Sequence, residues 1–189
     1  MPEIRTFDAI TWINTHLNSA VQLDFEQLKP ILCFSLLWNM FESKACKKWA
    51  DKKTIRDNVN SADELGLLLT DRYREFIEFF KTRYVVNGSV DSALRDLVFI
   101  DNDAESKDIV RRFLLGEYID ANNTVYSLLL IAYRIRNNLF HGNKDVELLP
   151  NQTELFTAIN ALLSTYLEDI ANMPPPGRQP RTGHQRGAA

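Results

Sequence analysis

Residues 123–142 read NTVYSLLLIAYRIRNNLFHG, and this stretch decides the fold class. Its core-facing residues recur at steps of four, three and four residues, which is the spacing of one face of an α-helix: Leu128, Ala132, Ile135 and Leu139. Asn123 or Thr124 is placed to cap this helix, and Gly142 is placed to end it. The stretch therefore predicts a buried helix that finishes in a short polar run.

Residues that break regular structure are scarce outside the C-terminal end of the chain. Of the seven prolines and seven glycines, four prolines and three glycines fall in residues 173–189. Proline does not continue a helix, and this segment has little apolar surface to bury, so residues 173–189 are predicted to be a disordered tail. Residues 1–172 are predicted to form one all-α domain, a compact bundle of about five to seven helices.

Hydrophobic spacing and capping residues outline the first helices. We expect helices over residues 8–17 and 25–50, because apolar residues recur there at helical spacing. A third helix is expected over residues 62–84. Ser61 is its predicted cap, and Glu64 lies three residues further on, where it would complete a capping box.

The second half of the chain has weaker signals before the motif helix. Asn87-Gly88 predicts a turn, whereas residues 90–100 leave helix and extended chain equally open. A helix capped at Asp103 or Ser106 is expected to end before Gly116. The last helix of the body is expected to bury one face, formed by Leu155, Ile159, Leu162, Leu163, Tyr166 and Ile170.

The charge balance limits the kinds of partner. The chain has 189 residues, the size of one domain, and a formal net charge of −3. The tail contains arginines and no acidic residue, so the body is more acidic than the whole chain. Because non-specific nucleic-acid affinity comes from neutralising phosphates, this composition excludes a general nucleic-acid binder. Any contact with RNA must be local.

The sequence contains no sign of export or membrane insertion. No basic segment followed by an apolar run opens the chain, and the longest apolar run, residues 125–133, is far below the roughly 18 residues of a membrane helix. Cys33 and Cys46 are expected to be buried or half-buried thiols of a reducing compartment. We therefore predict a cytoplasmic protein without a membrane partner.

Arg136, Asn137 and His141 are the candidates for chemistry at the end of the motif helix. On an ideal helix Asn137 and His141 lie one turn apart, whereas Arg136 and His141 are about 140° apart, so a second element must close the site. A histidine with a near-neutral pKa can move a proton at the 2′-hydroxyl or the leaving oxygen of RNA. An arginine can stabilise charge on the phosphate, and Asn137 can hold a hydroxyl or fix the imidazole tautomer. No cluster of acids suited to a metal is evident, so no metal and no cofactor are predicted.

The segment YRIRNNLFHG, residues 133–142, resembles the signature of the HEPN superfamily (higher eukaryotes and prokaryotes nucleotide-binding), an Arg followed after four to six residues by a His. The match lies at Arg136, Asn137, His141 and Gly142. Members are small helical bundles that commonly dimerise so that two motifs line one cleft. Many are metal-independent endoribonucleases of toxin–antitoxin and anti-phage systems. The resemblance implies a homodimer that cleaves RNA and has an antitoxin or defence-system protein as a partner.

Two more groups are candidates for the same site. Residues 37–42, LWNMFE, resemble a Trp-x-x-aromatic-Glu element of some branches of the family, which makes Glu42 a candidate for orienting the Arg or the His. Lys47, Lys48 and Lys52 belong to a basic run that follows Glu42, and they are candidates for contacting RNA.

Each candidate also has a purely structural interpretation. Arg and His interact favourably with the dipole at the C-terminal end of any helix, and a basic helix end is often simply solvated. Glu42 could form a surface salt bridge with a nearby lysine. Three functions therefore stay open: a metal-independent endoribonuclease, a non-catalytic HEPN-like module that binds RNA, a nucleotide or a protein, and a structural helical dimer.

Overall fold

The computed structural model describes residues 7–17, 19–90, 97, 103–140 and 145–174. In these residues it contains seven α-helices: α1 (Ala9–His16), α2 (Phe25–Ala45), α3 (Lys52–Glu64), α4 (Arg74–Tyr84), α5 (Ala104–Leu114), α6 (Ala121–Phe140) and α7 (Thr153–Asp169). Short 3-10 helices cover Thr70–Tyr73 and Val146–Gln152. The described residues form no β-strand beyond an isolated bridge between Val86 and Ser89. The prediction of an all-α fold is confirmed.

The motif helix, α6, is enclosed along most of its length. Every residue in the range 124–132 is buried, and the helix packs against α3 and α5. The predicted core-facing positions are confirmed, since Leu128, Ala132 and Ile135 are buried and Leu139 packs partly buried against the core. A helix that is apolar on all sides needs neighbours on several sides, and α6 has them.

The start of α6 differs from the prediction. The helix begins at Ala121, so Asn123 and Thr124 lie inside its first turn rather than at its cap. Asp120 takes the capping role, because its Oδ1 accepts a hydrogen bond from the backbone N–H of Asn123 at 2.7 Å and its carbonyl accepts one from Thr124 at 3.2 Å. Aspartate caps a helix as well as asparagine does, so the sequence offers more than one suitable cap here.

Helices α2 and α7 pack side by side and run in the same direction. The ring centroids of Phe34 and Phe156 lie 5.3 Å apart, and those of Phe41 and Tyr166 lie 6.0 Å apart. The predicted buried face of the last helix is confirmed, since each of its six residues is buried: Leu155, Ile159, Leu162, Leu163, Tyr166 and Ile170. Trp38 of α2 contacts α6, so α2 has neighbours on its inner sides and one outer side open to solvent.

Helix α2 ends at Ala45, earlier than predicted. The backbone N–H groups of Cys46 and Lys48 both donate to the carbonyl of Glu42, at 3.2 and 2.9 Å. This carbonyl in the last turn of α2 therefore keeps hydrogen-bond partners where the helix ends. Lys47 and Lys48 have φ values of 52° and 80°, in the left-handed region. That conformation costs a non-glycine residue roughly 1–2 kcal/mol. The chain therefore breaks the helix here at a local energetic cost.

The prediction that Ser61 caps a helix is wrong. Ser61 lies in the last turns of α3, where its Oγ donates to the carbonyl of Asp57 at 3.0 Å. A different capping box starts α3: the side chain of Asp51 accepts from the N–H of Thr54 at 2.7 Å, and the Oγ1 of Thr54 accepts from the N–H of Asp51 at 2.9 Å. The helix predicted over residues 62–84 is consequently divided between the end of α3, a connection, and α4.

Two glycine-containing turns are as predicted. Asn87 and Gly88 have φ values of 52° and 74°, and Val86 and Ser89 exchange two backbone hydrogen bonds across them. This is the geometry that an Asn-Gly turn favours. Gly116, with φ of 79°, follows the last turn of α5 and donates its N–H back into the helix. The ambiguous segment 90–100 lies largely outside the described residues, as does the predicted tail beyond Pro174.

The two cysteines differ in exposure. Cys46 is buried, and burial raises the pKa of its thiol to about 12. Cys33 is exposed, so the prediction that both thiols are at least half-buried is wrong for this residue. Cys33 lies on the outer side of α2, which carries no neighbouring helix in the described structure.

Candidate functional site

The side chain of Arg136 lies half-buried on α6, one turn before the end of the helix. Its Nη2 is 3.9 Å from Oε1 of Glu42, its Nη1 donates to Oδ1 of Asn137 at 3.3 Å, and its guanidinium lies 5.3 Å from the ring centroid of Phe140. Its Nε is buried and has no hydrogen-bond partner among the described residues. The guanidinium is thus contacted by three neighbouring side chains, and its Nε stays unpaired within the described part of the chain.

Glu42 reaches this position because α2 crosses α6 near its C-terminal end. The side chain of Glu42 is 18% exposed, and Oε1 also accepts from the backbone N–H of Ala50 at 3.4 Å. Its carbonyl closes the last turn of α2, so the main chain and the side chain of Glu42 are both held. The structure therefore brings together Glu42 and Arg136, two predicted site residues that are far apart in the sequence.

His141 and Gly142 lie outside the described residues, and α6 is described as far as Phe140. Asn137 is half-buried, and its amide oxygen faces Arg136 rather than a more distant partner. The predicted spacing of Arg136 and His141 therefore stays a prediction. The part of the motif that is described forms a polar end on an otherwise enclosed helix.

Arg134 and Asn138 fix the position of this helix end, and sequence reasoning assigned them no role. Arg134 Nη1 lies 3.3 Å from Oδ2 of Asp103, and both side chains are less than 10% exposed. Asn138 is buried and donates from Nδ2 to the carbonyl of Leu97 at 2.9 Å. Both polar groups sit among the apolar residues of α6, which is the signal that could have marked them as buried and paired.

The three lysines predicted to contact RNA have different surroundings. Lys47 and Lys48 are exposed and form the left-handed turn directly after α2. Lys52 is half-buried, and its Nζ lies 2.7 Å from Oδ1 of Asp103. The hydrogen bond to Asp103 raises the pKa of Lys52, so its charge is firmly held and already paired. Lys47 and Lys48 are therefore the more available cations near Glu42.

A second polar cleft lies between α3, α5 and α6, and its residues were not predicted as a group. The guanidinium of Arg56 stacks 3.5 Å above the ring of Tyr126, and its Nη1 donates to the amide oxygens of Asn122 and Asn123 at 3.0 and 3.2 Å. The cavity beside them has a volume of about 420 Å³. Acidic side chains also line it, among them Glu105, so the cleft has no marked charge.

No protein-family model, curated protein or solved structure matches the chain. Among the described residues, no three His, Cys, Asp or Glu side chains are grouped so that they could hold a metal ion. No described helix has the length and apolar character needed to cross a membrane. The resemblance to the HEPN superfamily therefore rests on the residues of the two motifs.

Proposed function

We propose that the chain is a metal-independent endoribonuclease of the HEPN type. The observation that carries the proposal is the contact of Arg136 with Glu42. Through this contact a half-buried guanidinium, whose Nε has no partner among the described residues, is positioned shortly before the motif histidine in the sequence. A guanidinium held in this way is suited to a phosphate that gains charge in a transition state.

In the proposed reaction the 2′-hydroxyl of RNA attacks the adjacent phosphorus, and the bond from phosphorus to the 5′-oxygen breaks. His141 takes the proton of the 2′-hydroxyl or gives one to the leaving oxygen. Arg136 binds the phosphate oxygens, and Asn137 holds the RNA or the imidazole. Glu42 is a positioning residue that acts through Arg136. Lys47 and Lys48 contact the RNA backbone, with a smaller contribution from Lys52, whose charge is already paired with Asp103.

The proposal includes a homodimer, since one imidazole cannot occupy both sides of the phosphate at once and Arg136 and His141 diverge on one ideal helix. Exposed apolar side chains near the motif end, Phe140, Val146 and Leu148, are consistent with a subunit contact there. We further propose that the protein acts in the cytoplasm, in a toxin–antitoxin or anti-phage system with a protein partner.

The test is cleavage of structured RNAs in excess EDTA by the wild type and by two pairs of variants. Arg136→Ala and His141→Ala are expected to abolish cleavage. Their matched controls are Arg74→Ala, which removes an exposed arginine of α4, and His16→Ala, which removes an exposed histidine of α1. Both controls are expected to keep full activity.

The products identify the mechanism. Attack by the 2′-hydroxyl leaves a 2′,3′-cyclic phosphate and a 5′-hydroxyl, and RNA with a 2′-methoxy group at the cleaved nucleotide is expected to resist. Activity that requires magnesium, or efficient cutting of DNA, would contradict the proposal. Inactivity on all RNAs together with specific RNA binding that needs Arg136 would instead support the non-catalytic binding module.

A further inference from the structure

The outer side of α2 carries a row of exposed apolar residues. The side chains of four large residues are about half or more exposed: Phe25 (53%), Leu32 (47%), Leu36 (70%) and Met40 (50%). On an ideal helix these positions fall within about 80° of one another, so they form one stripe. We call these four residues the α2 stripe. A continuous apolar stripe on a helix that already has its core contacts indicates a further protein contact.

From Leu32 to Met40 the α2 stripe carries no charge. Lys29, which lies on the same face between Phe25 and Leu32, pairs with Glu26 of its own helix at 3.4 Å. Between Lys29 and Lys44 the only charged residue is Glu42, and its side chain is turned toward Arg136 on α6. The stripe can therefore meet an identical stripe without burying an unpaired charge, which would be costly. This favours self-association over docking on a charged partner.

The charges at the two ends of the helix select one orientation. Glu26 and Lys44 are eighteen residues apart, about five full turns, so they lie on the same flank of α2. When two identical helices pair antiparallel about a two-fold axis, the same flanks meet, with opposite ends in register. Glu26 of each copy then faces Lys44 of the other. In a parallel pair, the ends that carry like charges would lie together instead.

From these features we infer that two copies of the chain associate through antiparallel packing of their α2 stripes. The contact is centred near Leu36, which meets its own copy, while Leu32 of one copy meets Met40 of the other. Beside Lys44 a cavity of about 470 Å³, lined by Met40, Leu167 and Met173 among others, leaves room for the first turn of the second copy's α2.

This contact is distinct from the pairing of motif ends and does not depend on the proposed activity. Helix α2 turns Trp38 and Glu42 toward α6 and its stripe the opposite way. A chain that uses only the α2 stripe forms a dimer, and one that also pairs its motif ends forms a larger assembly. A protein without ribonuclease activity would therefore still show the α2 contact.

Cys33 provides a probe of this contact without any added residue. It is exposed at the side of the stripe, whereas the only other cysteine, Cys46, is buried. In the pair centred on Leu36, the two Cys33 residues are separated by about 9 Å along the helices. That separation is too long for a disulfide and suits a short bismaleimide. The wild type is expected to give a covalent dimer with this reagent, and Cys33→Ser is expected to give none.

Charge reversal supplies the decisive comparison. Glu26→Lys and Lys44→Glu are each expected to reduce the cross-linked dimer several-fold, and the double variant is expected to restore it. Lys53→Glu, at an exposed lysine of α3, is the matched control and should cross-link like the wild type. Leu36→Glu should abolish the cross-link and lower the mass measured by light scattering, whereas Leu69→Glu, at a similarly exposed leucine outside α2, should change neither.

The inference is overturned if the wild type gives no cross-linked dimer at concentrations where its scattering mass exceeds one chain. A monomer at all concentrations overturns it too, and the stripe would then serve another partner. A double charge-reversal variant that cross-links as poorly as the single variants would overturn the antiparallel arrangement. Circular dichroism of each variant, expected to match the wild type, separates loss of contact from loss of folding.

Discussion

Replacing Asp103 with alanine is expected to destabilise the protein strongly, because this carboxylate holds two cations. Its Oδ2 lies 3.3 Å from Nη1 of Arg134 and its Oδ1 lies 2.7 Å from Nζ of Lys52. The side chains of Asp103 and Arg134 are 8% and 6% exposed, so their pair is a buried one. Removing one partner of a buried ion pair costs about 3–5 kcal/mol. The Lys52 pair adds little, since that side chain is 42% exposed.

If the free energy of unfolding falls by about 2 kcal/mol for each molar of urea, this loss lowers the urea concentration at the unfolding midpoint by roughly 2 M. Urea titration followed by circular dichroism measures it. Asp71→Ala is the matched control, because it removes a carboxylate that pairs with Arg74 on the surface, and its midpoint should stay close to that of the wild type. Equal midpoints for Asp103→Ala and Asp71→Ala would refute the view that a buried ion pair anchors α6.

Contacts elsewhere in the molecule give four more expected outcomes. Tyr73→Phe removes a buried 2.6 Å hydrogen bond to Asp169 and should cost about 1–3 kcal/mol in urea titrations; an unchanged midpoint would contradict the role given to that bond. Burial raises the pKa of the Cys46 thiol to about 12, whereas the same thiol in the unfolded chain has a pKa near 9.0. The free energy of unfolding should therefore fall as pH rises between these two values, because the unfolded chain loses the proton first. Cys46→Ala should make this fall shallower, and an unchanged dependence of stability on pH would refute the argument. Lys48→Gly removes the strain of a φ of 80° but makes the unfolded chain more flexible, so the free energy of unfolding should change by less than about 1 kcal/mol. The slope of the logarithm of the RNA-binding constant against the logarithm of salt concentration should become shallower by about 0.7. An unaltered slope would show that Lys48 does not contact RNA. Glu42→Gln should lower the cleavage rate constant about tenfold with little change in KM or in the unfolding midpoint, and a rate equal to that of the wild type would show that Glu42 does not position Arg136.

The buried faces of the helices could be predicted from sequence because they depend on a repeating pattern. The 4-3-4 spacing of α6 and the six-residue face of α7 both correspond to buried residues. Each such face is specified by several residues at once, so a single misleading residue does not alter the prediction. The Asn87-Gly88 turn could be predicted for a different reason, because asparagine and glycine are the residue types that adopt positive φ most readily.

Helix boundaries were harder to predict, because several local signals compete at each one. Ser61 followed by Glu64 satisfies a capping pattern, but Asp51 with Thr54 forms the capping box that starts the helix. Asn123 and Thr124 are good capping residues, yet Asp120 lies closer to the start of the chain and takes the first amides. Which cap is used depends on where the core face of the helix begins, and that is a tertiary property.

The contact between Glu42 and Arg136 could be suspected from the motif resemblance, but residue spacing alone does not predict it. It exists because α2 and α6 cross near the end of α6, and a crossing point is set by the packing of many side chains. The pairing of Arg134 with Asp103 likewise joins residues that are distant in the sequence. Periodicity identifies the faces that pack, whereas only the assembled fold identifies which polar groups meet.

The enclosure of α6 has a consequence for how this chain can evolve or be engineered. Residues 124–132 are buried on every side, so the helix has no exposed stretch in this range where an added residue could be accommodated. One inserted or deleted residue upstream of the motif would turn Arg136 by about 100° and move it by about 1.5 Å along the axis. Apolar substitutions that conserve volume are therefore tolerated better along α6 than changes of length. Libraries built on this fold should keep the length of this helix fixed and place insertions at exposed turns such as Asn87-Gly88.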